Sequence, residues 1–308
     1  MRRFGFGFIL LAMVVLTGCD FDDWGDSGRF REPFSSNHPL KSGGRLYLET
    51  FNGGVEILGW DKESAEISGE KYAATEDLLH QIKVDISSQP DSLRISVMRP
   101  FDRRGNFGAS FVLHVPKRLM VDRVETSNGS LRVESIEGPV RMKSSNGGVK
   151  IWQVKGDIDI TTSNAGIEVG QFEGAAILHS SNGRIRADGV RGAFEGNTSN
   201  GSIDVNITEL SVGKPLRLDT SNSSINVTMA KWNHNDIYAD TSNSSINVRL
   251  PEGINARFKG DTSNGSVTSE HEITVTNKGK THLEGTIGSG GSSIVLDTSN
   301  GNIRLLKK

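Results

Sequence analysis

One tetrapeptide, Thr/Ser-Ser-Asn-Gly or a close variant, occurs nine times in this chain, and its spacing constrains the fold more than any other feature. The asparagines are Asn128, Asn146, Asn164, Asn182, Asn200, Asn222, Asn243, Asn264 and Asn300. The first five are 18 residues apart, and the later intervals are 22, 21, 21 and 36. A fixed period of this size marks a stacked-repeat architecture, because one such unit cannot bury its apolar side alone. The period constrains the fold and names no reaction.

Each unit carries its own strand signal. After each Asn-Gly come apolar residues two apart, as in Leu131 and Val133, Val149 and Ile151, Ile167 and Val169, and Ile185 and Ala187. That spacing points both side chains to one face of a strand. A second apolar set follows, such as Val154, Ile158 and Ile160, with a glycine in register at Gly138, Gly156, Gly174 and Gly192 for a corner. The pattern predicts an all-β, single-domain parallel β-solenoid, β-helix-like, with residues 125–308 as the repeat array. The nine asparagines then form a structural ladder along one edge, amide over amide. Asn also tolerates a left-handed corner, and the Ser and Thr hydroxyls before it can bond the corner backbone.

Insertions interrupt the later units. Lys231–Asp236 and Pro251–Gly253 fall after the first strand of their units, and the 36-residue interval reads as containing a rung without the asparagine corner. Insertions cluster on one face of a solenoid, often its binding face. Trp232, His234 and Tyr238 are therefore the candidate binding surface, with edge packing as the competing role.

The ends read differently. Arg2 and Arg3 precede an apolar run, Phe4–Leu16, that is too short for a normal span and ends in Leu16-Thr17-Gly18-Cys19. Residues 1–18 are read as a lipoprotein signal peptide and Cys19 as the acylated residue. Cys19 is the only cysteine, so no disulfide framework exists. Acyl chains such as palmitate would anchor the protein to a membrane without spanning it. Asp20 resembles an inner-membrane retention signal, which favours the periplasmic face of the inner membrane in a Gram-negative host. Residues 19–39 read as lipidated cysteine and flexible tether. Residues 40–124 read as an N-terminal β cap and first turns, partly antiparallel, with one short helix at Glu76–Gln81. Phe51-Asn52-Gly53 looks like a degenerate first copy of the corner.

Chemistry is sparse. Loss of residues 1–18 takes the formal net charge from −2 to −4, without the footprint for nucleic acid. No pair of the seven histidines has metal-ligand spacing, and no serine sits in a nucleophile-elbow pattern. Asp219, Asp240, Asp261 and Asp297 share a column before the corner. The chain lacks the nonapeptide of calcium-binding β-rolls, so they read as a solvated charged row. No cofactor, metal or catalytic residue is assigned.

With these units placed, the chain resembles the bacterial "putative-adhesin" β-solenoid family, a domain family of unknown function. Asp261–Val267 and Asp297–Ile303 carry the resemblance. It implies a cell-envelope protein and carries over no catalytic residues. The resulting expectation is a lipid-anchored, non-enzymatic envelope protein that presents a rigid β surface for adhesion or binding, to an envelope protein or a glycan. An envelope-stress sensor or regulator and a carbohydrate-active β-helix enzyme are the alternatives.

Overall fold

Alternating apolar and polar residues produce strands nearly everywhere in the described chain. The computed structural model describes residues 29–101 and 105–308. The expected leader at 1–18, Cys19 as the expected acylation residue and Asp20 as the expected sorting residue lie outside the described residues. Among them, 25 strands join one mostly parallel sheet. The first nine are β1 (Phe30–Pro39), β2 (Arg45–Glu49), β3 (Val55–Trp60), β4 (Ser64–Ala73), β5 (Lys83–Gln89), β6 (Ser92–Met98), β7 (Phe107–Pro116), β8 (Met120–Thr126) and β9 (Leu131–Glu134). The helix α1 spans Glu76–Gln81, where the sequence places it, and Thr75 caps it by accepting from the Leu78 N–H.

The 18-residue period becomes strand register. Ile167 lies opposite Ile185, and Ile185 opposite Ile203. Ile158 lies opposite Ala176, and Ala176 opposite Phe194. Their side chains, with Phe172, Phe194, Phe111 and Phe258, are buried in one continuous interior. Two turns of the regular unit need glycine-like or left-handed backbone. At one, Gly138, Gly156, Gly174 and Gly192 have φ between +133° and +156°. A Cβ on Gly174 would stand 2.3 Å from the Gly156 carbonyl oxygen of the preceding unit. At the other, Ser135, Gln153 and Gln171 take φ of 60°, 53° and 50°. The corner asparagines are not among the left-handed residues, so that part of the expectation is corrected. Their corner is shaped instead by hydrogen bonds and by close stacking of the glycine that follows.

The Thr or Ser that opens each tetrapeptide is buried beneath that corner. Thr162 Oγ1 donates to the Gly147 carbonyl one unit earlier (3.3 Å), and Thr198 Oγ1 donates to that of Gly183 (3.1 Å). The same hydroxyl accepts from its own unit, as Ser180 does from the Gly183 N–H at 2.9 Å. One side chain thus stitches two units together where water cannot compete, a contribution of about 1 kcal/mol each.

Spatial order departs from chain order at both ends. β2 lies between β6 and β8, and β3 between β7 and β9. At the other end, Ser292–Thr298 pairs with Ile237–Thr241 on one side and with Ala256–Thr262 on the other. The final unit is therefore inserted between the two before it. The 36-residue interval holds no extra rung. Its residues Ile273–Lys278 and His282–Ile287 form an antiparallel hairpin that lies on Ala256–Thr262. Antiparallel strands also close the first end, with β5 on β6, β4 on β7 and β1 on β4. Residues 30–39, expected to be tether, are strand β1, paired with β4 along its whole length. Alternate residues of β1 pack inward, Phe34 reaching the Phe111 ring at 5.5 Å in an edge contact. Pro33 and Pro39 remove two donors from this edge strand, which discourages further pairing.

Candidate functional site

The outer face of β9, β3, β7, β4 and β1 curves into an open groove of about 580 Å³. Its floor is made of small residues: Ser130, Gly54, Ser110, Ser68 and Val112. Strand register brings them together, since Val112 lies opposite Glu56 on one side and Ser68 on the other, and Glu56 lies opposite Arg132. Small outward side chains in neighbouring strands leave a trough, and longer ones at the flanks make its walls.

Each wall is an ion pair. On one side Arg132 donates to Glu56 at 3.1 Å and to Glu134 at 2.6 Å. On the other, Arg31 donates to Glu70 at 2.6 Å. Among the lining residues the cations Arg31 and Arg132 balance the anions Glu56 and Glu70. Tyr72 closes one end, opposite Arg31 on β1, and its ring lies across Gly108, where a Cβ would meet the phenol oxygen at 2.5 Å. Burial raises the Tyr72 phenol above its usual range, so it is a neutral hydrogen-bonding group at any physiological pH. Among the described residues no histidine or cysteine lines the groove. The arrangement can hold a neutral, polar, extended ligand by hydrogen bonds and ring contact, and it provides no paired base and nucleophile.

The sequence-derived residues lie elsewhere. The nine asparagines, all exposed, form one line of side-chain bonds. Asn146 Nδ2 donates to Asn128 Oδ1 (2.6 Å), Asn164 to Asn146 (2.6 Å), Asn182 to Asn164 (2.8 Å), Asn200 to Asn182 (2.6 Å), Asn222 to Asn200 (2.7 Å) and Asn243 to Asn222 (2.8 Å). Asn300 then donates to Asn243 (3.0 Å) and Asn264 to Asn300 (2.9 Å), in spatial rather than chain order. Asn52 heads the line, accepting from Asn128 at 2.5 Å. Shorter polar ladders run elsewhere, such as Ser135 to Gln153 (3.2 Å) and Gln153 to Gln171 (3.1 Å).

Trp232 and His234 share one loop, with ring centroids 6.4 Å apart, and Trp232 packs partly against the core. Asn235 in that loop is buried and holds the preceding insertion by donating to Ser211 O (2.7 Å) and Lys214 O (2.9 Å). Tyr238 is on the strand Ile237–Thr241, under the Arg217 guanidinium at 4.8 Å. The structure thus joins Trp232 to His234 and places Tyr238 with Arg217. The aspartate column runs Asp219, Asp240, Asp297, Asp261. Burial, then repulsion from Asp219 and Asp297, raises the Asp240 carboxyl; burial and Asp261 raise that of Asp297. Among the described residues no group of three His, Cys, Asp or Glu side chains is arranged to hold a metal ion.

Sequence reasoning missed the groove. Its residues come from five strands and the turns before two of them, spread between positions 31 and 132, and only Gly54 and Ser130 adjoin a local motif, the corner. The one available hint was a set of small residues, Ser68 and Ser110 at the ends of predicted strands and Ser130 directly after the first corner.

The sequence matches the family model described as Toastrack DUF4097 over residues 64–306. Among solved structures it is similar to a "putative adhesin" from Parabacteroides distasonis, at 10% identity and a TM-score of 0.46, covering 89% of this chain and 97% of that one. It is similar to a "putative cell adhesion protein" from Clostridium sporogenes, at 12% identity and a TM-score of 0.20, covering 90% and 100%. A third is a "putative lipid binding protein" from Parabacteroides distasonis, at 9% identity and a TM-score of 0.32, covering 90% and 98%. No curated protein matches the sequence.

Proposed function

The chain belongs to the Toastrack DUF4097 family, and from that premise we propose that it is a non-enzymatic binding protein of the cell envelope. In this reading the parallel sheet is a β-solenoid, the asparagine ladder serves its rigidity, and acyl chains on Cys19 hold it to a membrane. Asp20 favours the periplasmic face of the inner membrane. The groove between the Arg132–Glu56 and Arg31–Glu70 pairs is the contact surface. The observation that carries this reading is the groove's charge balance over a floor of hydroxyls and small side chains. A neutral ligand keeps both ion pairs intact, whereas a charged one would have to break one of them. An uncharged glycan strand fits this chemistry, with Tyr72 as the ring platform; an extended segment of an envelope protein is the other fit.

The test uses the full mature chain against an array of envelope glycans, with cross-linking to envelope extracts in parallel. Saturable binding that Tyr72→Ala and Arg132→Ala each weaken about tenfold is expected. Binding untouched by both variants would move the contact off this groove, and no saturable partner in either arm would overturn the binding role.

A further inference from the structure

The end of the column from which the chain leaves toward Cys19 carries the most exposed aromatic side chain of the described residues. Phe101 is fully exposed at 102%, and Met98, at the end of β6, is 53% exposed. Trp152, Ile177, Val212 and Val275 are also exposed, but each lies far from the others in sequence, whereas Met98 at the end of β6 and Phe101 just beyond it are three residues apart and call for an occupant. Strand pairing fixes where this loop sits. Phe30, the first residue of β1, is opposite Ala73, and Ala73 is opposite Phe107. The Ala74 N–H donates to the Asn106 carbonyl at 2.9 Å, and Gly105 lies against Ala74 and Leu78. The start of β1 and the loop holding Phe101 thus occupy one corner of the molecule.

Ten residues, or eleven chain steps, lie between Cys19 and Phe30. Fully extended they span about 36–40 Å, and Phe21 and Trp24 within them favour an interface over water. This corner is therefore held near any membrane that Cys19 enters. The opposite end is nine ladder steps away, about 43 Å at the spacing of neighbouring strands. By sequence the loop carries Arg99, Arg103 and Arg104 against Asp102, and the neighbouring segments add Arg29 and Lys83 against Glu76 and Asp77, so a modest basic excess supports the apolar contact on an anionic lipid surface.

We propose that Phe101 and Met98 form a second membrane contact, dipping into the interfacial layer of the bilayer and setting the column upright. The proposal rests on lipidation of Cys19. A lipid surface is the partner because the chain's own exit brings it to this corner; one acyl-anchored residue and a short connector otherwise leave the body free to tumble.

The test exploits the cysteine count. In the acylated full chain Cys19 is consumed, so Phe101→Cys supplies one free thiol for an environment-sensitive fluorophore. Val275→Cys, in the strand at the far end, is the control, and its native side chain is also exposed. Both proteins are reconstituted in vesicles of phosphatidylethanolamine and phosphatidylglycerol with a nitroxide-bearing lipid. Expected is at least twofold quenching at position 101 and none at 275. Equal, unquenched emission at both positions in protein that floats with the vesicles overturns the proposal and leaves the anchor standing. Protein that does not float and retains a free thiol at Cys19 removes the anchor and the proposal together. A label at 101 already shielded without vesicles means that residues 19–28 cover the loop, which also overturns it.

Discussion

Replacing Asp240 with asparagine should stabilise the protein at neutral pH. Asp240 stands between Asp219 and Asp297 in one column, with Asp261 next to Asp297. Neighbouring strands are about 4.8 Å apart. Two like charges at about 5 Å repel by about 0.8 kcal/mol in water, and physiological salt roughly halves that. Two neighbours give about 0.8 kcal/mol of relief at this exposed position, and a new amide donor to a flanking carboxylate adds about 0.5 kcal/mol. The expected gain is about 1 kcal/mol, measured by urea denaturation at pH 7. Its pH dependence follows from the raised carboxyls of Asp240 and Asp297. A carboxyl raised in the folded state is protonated there before it is in the unfolded chain. Its favourable contribution is present below the ordinary carboxylate pKa and lost as pH rises through the raised one. The advantage of Asp240→Asn should therefore shrink as pH falls from 7 to 4. A neutral or destabilising effect at pH 7, or a gain that grows on acidification, would refute the reasoning, and would indicate that the column recruits a cation.

Three further outcomes are expected. Gly174→Ala should lower stability by about 2–3 kcal/mol in thermal or urea unfolding, because φ is +148° and the Cβ would meet the Gly156 carbonyl. Thr162→Val, which orphans the buried Gly147 carbonyl, should cost more than Asn164→Ala on the exposed ladder above it: about 1–3 against about 1 kcal/mol by the same denaturation assay. His271 is buried, and desolvation holds its pKa below the usual 6.5 even though its ring contacts the Leu306 carbonyl. The unfolded chain then takes up the proton first, so this contribution is intact above pH 6.5 and falls as pH drops below it. The Tm of wild type should drop more between pH 7.5 and 5.5 than that of His271→Gln.

The repeat was legible because it is chemical and local. Val149, Ile167, Ile185 and Ile203 occupy one interior column because each follows its own corner by the same number of residues. The position of the last unit was not legible for the same reason. Every copy offers the same apolar residues, the same hydroxyl and the same amide, so Asn300 fits beside Asn243 as well as beyond Asn264. What decides the order is the hairpin Ile273–Ile287, which occupies the far edge of Ala256–Thr262 and leaves only its inner edge open. The strand β1 was hidden by its composition, since Pro33, Ser35 and Ser36 read as linker and its inward positions include the polar Glu32, Ser36 and His38. The left-handed positions fell at Ser135, Gln153 and Gln171, where no turn motif announces them. The groove needs residues from β1 to β9 in register, and only the assembled sheet supplies that register.

The inserted unit, residues 292–307, acts as a keystone. Residues 292–307 bridge two courses of the column that precede them in the chain, so those courses are not joined through this unit until it has been made. A chain ending at Gly291 would lose its middle connection rather than its tip, because the hairpin Ile273–Ile287 and its supporting strand Ala256–Thr262 would lack the strands that pair them to Ile237–Thr241 and Ile246–Leu250.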